Sequence, residues 1–156
     1  MTLNARPAEV ADIDSIVRVI NAAFSVERFF VDRDRTDAGK IAALLKSGLF
    51  LVAEEAGQII ACIYVELRGE RAYFGLLAVD PAAQKKGIGK AMIGAVEDYA
   101  RAAGCGFMDM RIVNLRAELP PFYHRLGYVA TSTEPFKADI EPRLPCHFIN
   151  MSKPLR

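Results

Sequence analysis

Histidine and cysteine are scarce in this sequence of 156 residues, with two and three copies respectively. The histidines, His124 and His147, have no further ligands spaced around them in a metal-binding pattern, so we expect no metal. The cysteines, Cys62, Cys105 and Cys146, are odd in number and include no Cys-x-x-Cys pair. Each has apolar neighbours, which favours buried, reduced thiols over a disulfide or redox site.

Excess charge of one sign and long apolar runs are missing as well. A net charge near +1 gives no basic field that would attract nucleic acid or an anionic membrane. No run approaches the ~18 apolar residues of a membrane span, and the N-terminal stretch lacks the apolar core of a signal peptide. We therefore expect a cytoplasmic protein with no nucleic-acid and no membrane partner. The length fits a single domain over residues 1–156.

What the sequence does contain is a regular succession of apolar patterns, which predicts alternating strands and helices. Strands are predicted at residues 2–6, 49–55, 58–68, 71–80, 107–113, 128–132 and 146–153, and helices at 7–24, 38–46, 120–126 and from 88 to an end near Gly104. Three consecutive strands with short turns between them favour an antiparallel meander. The strand–helix–strand unit at 72–113 predicts a parallel crossover. Together they favour a mixed sheet with helices on its faces.

One stretch between a predicted strand and helix, residues 80–92, combines glycine with positive charge. It reads DPAAQKKGIGKAM, with two glycines and three lysines near the expected helix N-terminus. Such an end has unpartnered backbone N–H groups, and glycine lets a bulky anion approach them, so it can hold a pyrophosphate. The dinucleotide fingerprint fails because Met92 takes the place of its third glycine, and the phosphate loop of nucleotide hydrolases fails because Ala91 replaces its Ser or Thr. A pyrophosphate site and a plain strand-to-helix turn remain.

Two separated motifs resemble the GNAT superfamily of N-acetyltransferases. The stretch from Leu76 to Gly104 resembles motif A of that superfamily, with Gln84-Lys85-Lys86-Gly87-Ile88-Gly89 in the place of Gln/Arg-x-x-Gly-x-Gly/Ala. The stretch RIVNLRAELPPFYHRLGY resembles motif B, through Asn114, Phe122-Tyr123 and Gly127-Tyr128. The resemblance spans essentially the whole chain, and the predicted element order is also that of the superfamily.

The resemblance implies an α/β (α+β) fold with a mixed, mostly antiparallel central sheet of about seven strands and about four flanking helices. It also implies transfer of an acetyl group from acetyl-CoA to the amine of a small molecule or protein by direct attack. A non-catalytic acyl-CoA-binding or sensing module on the same fold is the alternative, and the chain is expected to be a monomer or a homodimer. The residues implied in CoA binding are Leu77, Ala78, Val79, Gln84, Lys85, Lys86, Gly87, Ile88, Gly89, Lys90 and Asn114.

The resemblance implies Tyr123 as the general acid that protonates the departing thiolate. Asn114 and Tyr123 are nine residues apart, where members of the superfamily commonly place them about seven apart. The general base stays open between Glu27, Glu66 and Glu118, and we favour Glu27 because its segment matches the region of the acceptor pocket. The expected lining of that pocket is Arg28, Phe29, Phe30 and Tyr73.

The segment expected to form the acceptor pocket favours neither charge of acceptor over the other. The segment from Ser25 to Gly39 carries both signs: Glu27, Asp32 and Asp34 would suit a cationic acceptor, and Arg28, Arg33 and Arg35 an anionic one.

Overall fold

The computed structural model describes residues 4–137 and 140–156, and for Lys85 and Lys86 the backbone only. Within this part the strands are β1 (Ala5–Pro7), β2 (Leu49–Glu55), β3 (Gln58–Arg68), β4 (Arg71–Val79), β5 (Phe107–Val113), β6 (Val129–Pro135) and β7 (His147–Pro154). The α-helices are α1 (Ile13–Ala23), α2 (Ala38–Ser47), α3 (Ile88–Ala102) and α4 (Leu119–Arg125). The predicted fold class and order of elements are confirmed.

The largest difference from the prediction lies at the start of the first helix. That helix was expected from Pro7, but α1 begins at Ile13. A short 3-10 helix, Val10–Asp12, precedes it, and the Asp12 carboxylate accepts a hydrogen bond from the Glu9 N–H at 2.7 Å. Side-chain capping of this kind competes with α-helical hydrogen bonding, so apolar periodicity alone overextends the helix.

The seven strands form one sheet in the order β1-β2-β3-β4-β5-β7-β6. Side chains alternate between its two faces, and both faces of β3 are buried: Cys62 and Tyr64 pack with α1 and α2, whereas Ile63 and Val65 pack with α3. A strand covered on both faces is expected to be almost continuously apolar, as β3 is. None of the helices within 4–137 and 140–156 is long and apolar enough to cross a membrane.

The sheet opens between β4 and β5, the one parallel pair among the described strands. The two strands are joined by α3, as predicted, but only residues 71–73 of β4 pair with residues 107–109 of β5. Beyond Tyr73 the strands are no longer paired, although both continue. A bulge interrupts the other edge of β4, where Leu76 adopts a φ of +52°, a strained value for a residue with a branched side chain. The fold thus leaves a cleft in the middle of its sheet.

Candidate active site

A cavity of about 540 Å³ occupies the cleft between β4 and β5, a size common for small-molecule sites. Its walls come from β4, β5, α4 and the segment that follows α1. Among the predicted site residues, the cavity wall includes Glu27, Leu77 and Tyr123. The fold therefore brings together two proposed catalytic side chains that are far apart in the sequence.

The glycine stretch forms a tight connection at the edge of the cleft. Asp80 ends β4 and accepts a hydrogen bond from the Ala82 N–H at 3.0 Å, which starts the 3-10 helix Pro81–Lys86. The Gln84 side chain donates back to the Val79 carbonyl at 3.0 Å. Gln84 therefore fixes the loop to the strand, a positioning role for the first residue of the motif.

Gly87 gives this connection its shape, because its φ of +71° lies in the left-handed region that glycine adopts without strain. The first α3 hydrogen bond runs from the Ala91 N–H to the Gly87 carbonyl at 3.2 Å, which leaves the N–H groups of residues 88–90 outside the helical pattern. Of the side chains that the structure describes, none caps this end. The helix N-terminus is therefore open to an anion.

Space around these amides also fits a phosphate group. A Cβ built on Gly87 would meet nothing within 4 Å, and one on Gly89 would meet only the Val79 Cγ2, at 3.9 Å. Lys90 is exposed at this end, whereas the Ile88 side chain is buried in the core, so only the backbone of Ile88 can contact a ligand. The side chains of Lys85 and Lys86 lie outside the described part, and their backbone belongs to the 3-10 helix.

At the end of β4, the backbone groups of successive residues point alternately toward β3 and toward the cleft. The Asp80 N–H donates to the Ile60 carbonyl at 2.7 Å, and antiparallel pairing then alternates residue by residue. By that alternation, Ala78 directs its backbone groups to β3, whereas Val79 directs its N–H toward the cleft. Leu77 lies in the bulge and lines the cavity. Of the three predicted strand residues, Leu77 and Val79 face the cleft and Ala78 does not.

Tyr123 is held in the cavity wall by other aromatic rings. It lies on α4 and contacts Phe122, Tyr128 and Phe74, with ring centroids 5.0, 5.9 and 6.2 Å away. Its hydroxyl has no hydrogen-bond partner among the described residues. Burial raises the pKa of Tyr123 to about 12, so the phenol keeps its proton at neutral pH. It can act as a proton donor.

Glu27 enters the cavity from the 3-10 helix Phe24–Glu27, which follows α1 directly. Its carboxylate accepts a hydrogen bond from Arg116 at 2.8 Å, and both side chains are largely buried, with exposures of 15% and 18%. Burial raises the pKa of Glu27 above its ordinary value, although the Arg116 guanidinium opposes this shift. A carboxylate with a raised pKa is a better proton acceptor than an exposed one.

The other two candidate bases are placed less favourably. Glu66 lines the cavity but accepts a hydrogen bond from the Tyr64 hydroxyl at 2.6 Å, which lowers the pKa of Glu66. Glu118 is exposed at the entry to α4 and does not belong to the cavity wall; it pairs with Arg116 at 3.0 Å. The geometry therefore favours Glu27.

Asn114 ties two strands together. Its Oδ1 accepts from the His147 N–H at 2.8 Å, and its own N–H donates to the His147 carbonyl at 3.0 Å. It does not cap α4, which begins at Leu119, and it does not belong to the cavity wall. In this structure the Asn114 side chain has a structural partner.

The expected acceptor pocket is lined differently from the prediction. Tyr73 lines it, but Arg28 is half-buried and Phe29 exposed, both outside the cavity wall, and Phe30 is completely buried outside it. Several cavity residues were not predicted as site residues, because they lie outside the two motif stretches or at positions of the motif B stretch to which the resemblance assigns no role. These are Arg68, Arg111, Arg116, Phe136 and Phe148.

Residues 46–130, just over half of the chain, match the family model for the acetyltransferase (GNAT) domain. The chain is 29% identical over 139 residues to glucosamine 6-phosphate N-acetyltransferase 1 of Oryza sativa subsp. japonica, covering 83% of this chain and 82% of that protein. Across three curated relatives that it matches, the chain spans 61%, 82% and 44% of their lengths.

Solved structures share the fold. The ribosomal-protein-S18-alanine N-acetyltransferase of Escherichia coli superposes with a TM-score of 0.79 at 16% identity, covering 99% of this chain and 94% of that one. The yncA protein of Salmonella typhimurium, solved with its cofactor acetyl-CoA, superposes with a TM-score of 0.76 at 22% identity, covering 100% and 95%.

Proposed function

The chain belongs to the GNAT acetyltransferase family, and we propose that it transfers the acetyl group of acetyl-CoA to a primary amine by direct attack in a ternary complex. One observation carries the proposal. The cleft between β4 and β5 has a proton donor, Tyr123, and a buried carboxylate, Glu27, on the walls of one cavity. An amine and a thioester held in such a cavity would have an acceptor for the ammonium proton and a donor for the departing sulfur.

Acetyl-CoA would bind along the edge of β4 and at the start of α3. The backbone amides of residues 85–89 would bind its pyrophosphate, with Lys90 adding positive charge. The free N–H of Val79 would bind the pantetheine arm of acetyl-CoA, and Leu77 would contact that arm. Bound acetyl-CoA supplies a thioester whose acyl carbon takes the amine nitrogen, so an N–C bond forms and the C–S bond breaks. The nitrogen then gives up a second proton, which replaces the proton that Tyr123 donates to the sulfur.

Tyr123 holds the proton that the departing sulfur needs. Its raised pKa keeps this proton on Oη across the neutral range, and its packing between aromatic rings fixes the direction of the phenol. A positioned acid of this kind contributes on the order of 10²- to 10⁴-fold to a rate.

Glu27 removes a proton from the amine, which is charged at neutral pH and cannot attack until it loses that proton. Arg116 acts as a positioning residue, because its guanidinium holds the Glu27 carboxylate through one hydrogen bond. Since Arg116 also lowers the pKa of Tyr123, its charge acts on both proton-transferring groups.

Amine-dependent release of thiol from acetyl-CoA tests this function. The panel should include glucosamine 6-phosphate, since a relative is named for that acceptor, together with an alanine N-terminal peptide and simple primary amines. We expect steady thiol release above the hydrolysis of acetyl-CoA alone for at least one amine. CoA binding with no amine-dependent release across the panel would contradict the proposal.

A further inference from the structure

The carboxylates on the cavity wall already have positive partners. Three acidic side chains line the described part of the cavity, namely Glu27, Asp34 and Glu66. Glu27 pairs with Arg116 at 2.8 Å, Asp34 pairs with Arg28 at 2.6 Å, and Glu66 pairs with Arg68. A second positive charge on an acceptor would therefore have to break an existing ion pair, which disfavours polycationic amines.

Arg35 is in the opposite situation. It lines the same cavity, and its guanidinium carbon lies 5.4 Å from the centroid of the Phe24 ring. Among the residues that the structure describes, no carboxylate or carbonyl accepts a hydrogen bond from it. Arg35 is exposed, so a ligand can reach its guanidinium. A guanidinium has five N–H donors in a fixed fork, which suits a carboxylate or a phosphate.

The neighbouring arginine in the cavity is already engaged. Arg111 donates to Glu134 at 2.8 Å and stacks over the Phe148 ring at 4.0 Å. Its charge still adds to the positive potential around Arg35, but its hydrogen bond links β5 to β6 across β7. Of these two arginines, Arg35 is therefore the one whose N–H donors are available to a ligand.

We infer that the acceptor is a small amine carrying a second, anionic group, a carboxylate or a phosphate, which Arg35 binds while the amine lies near Glu27. The inference rests on the proposed function, because it names the substrate class of the same site. Glu27 and Arg35 line the same cavity of about 540 Å³, so one small molecule can contact both side chains.

Matched pairs of amines test this inference. The pairs are β-alanine with β-alaninamide, and phosphoethanolamine with ethanolamine, so that one pair tests a carboxylate and the other a phosphate. An acidic peptide with a free N-terminus forms a third arm. We expect kcat/KM for the anionic member to exceed that of its neutral partner by about tenfold or more in at least one pair, the effect of one charge-assisted hydrogen bond.

The variant Arg35→Gln should remove this preference. Its KM for the anionic amine should rise about tenfold or more, while its KM for acetyl-CoA and for the neutral partner stays unchanged. Arg35→Lys should retain part of the preference. Arg143→Gln is the matched control. Arg143 is exposed and pairs with Asp32, which lies in the same Ser25–Gly39 segment as Arg35, but Arg143 does not belong to the cavity wall. The preference for the anionic amine should therefore remain in this variant. The ratio within each pair cancels any general loss of activity.

Three results would overturn the inference. Equal turnover of both members of each pair, with a ratio that Arg35→Gln does not move, would refute it and leave acetyl transfer intact. An Arg35-dependent preference for the acidic peptide over every small amine would refute the small-molecule class. Failure of every amine to release thiol would refute the proposed function itself, and this inference with it.

Discussion

The two sides of the cleft are built in different ways. The side proposed for acetyl-CoA is a continuous run of backbone, from Leu77 at the end of β4 to Lys90 in the first turn of α3. The opposite side is made of single side chains from segments far apart, such as Glu27, Tyr73 and Arg116. Backbone N–H groups are the same whatever the side chain, so the first side can bind one invariant ligand.

The contrast separates a site formed by backbone geometry from a site formed by side chains. A site made of backbone geometry requires only glycine where φ is positive and a helix that starts at the right point. A site made of side chains can change its charge with a few substitutions and leave the fold intact. Variants of the two sides should therefore fail in different ways, one in CoA affinity and the other in acceptor turnover.

The largest effect is expected on the acetyl-CoA side, for Gly87→Glu. The new side chain adds bulk and negative charge where the pyrophosphate is proposed to bind, so the Kd for CoA should rise by about 10³-fold, as several kcal/mol of like-charge repulsion would produce. Isothermal titration of CoA measures it. Gly69→Glu is the control, since Gly69 has the same φ of +71° and open space around it in the β3–β4 turn. If the two variants melt at similar temperatures and also bind CoA with equal affinity, the assignment of the pyrophosphate site is contradicted.

Tyr123→Phe comes second and should spare CoA binding. Loss of the phenol proton should lower kcat by about 10²-fold, because the thiolate must leave without a positioned acid. Rapid-quench or steady-state thiol release gives kcat, and the Kd for CoA should stay within about twofold. Tyr99→Phe removes a hydroxyl from a partly exposed tyrosine on α3 and should have no effect. A fall in CoA affinity without a fall in kcat would assign Tyr123 to binding instead.

Glu27→Gln should change the pH dependence as well as the rate. The base must be ionised, so wild-type kcat/KM should rise with pH through a pKa above the ordinary glutamate value. The variant should lose about tenfold or more in rate and should lack this acidic limb. A pH–rate profile with the limb unchanged would show that another group is the base.

The smallest effect is expected for Arg116→Gln. Arg116 lowers the pKa of Glu27 through a hydrogen bond and its charge, so its removal should move the acidic limb to higher pH. At pH values below the shifted limb, the activity of the variant should be less than about tenfold lower than that of the wild type. At higher pH, where Glu27 is ionised in both proteins, the activity should recover. A uniform loss of rate at every pH would indicate a role in packing instead.

The same contrast explains which parts of the fold and of the site could be predicted from the sequence. The strand order and the glycine turn depend on local patterns, namely apolar periodicity and contiguous motifs, and these predicted the cleft-forming strand and helix. The Glu27–Arg116 pair joins residues 89 positions apart, and no local pattern reports such a contact. The local patterns also do not predict the direction in which each side chain points. The 3-10 helix at Phe24–Glu27 directs Glu27 into the cavity, whereas Arg28, the next residue, does not belong to the cavity wall.

Asn114 illustrates the remaining limit of a motif. Its identity and place in the chain resemble motif B, yet its side chain bridges β5 and β7 through His147. A residue type at a motif position predicts a neighbourhood, and the partner it finds there depends on the strands that pack around it.

A crystal structure with CoA and an unreactive acceptor analogue tests the central claim most directly. We expect pyrophosphate on the amides of residues 85–89, the pantetheine arm along Val79, and the sulfur within hydrogen-bond reach of the Tyr123 Oη. We also expect the acceptor in the same cavity, between Glu27 and Arg35. CoA bound elsewhere, or with its sulfur remote from Tyr123, would contradict the proposed site.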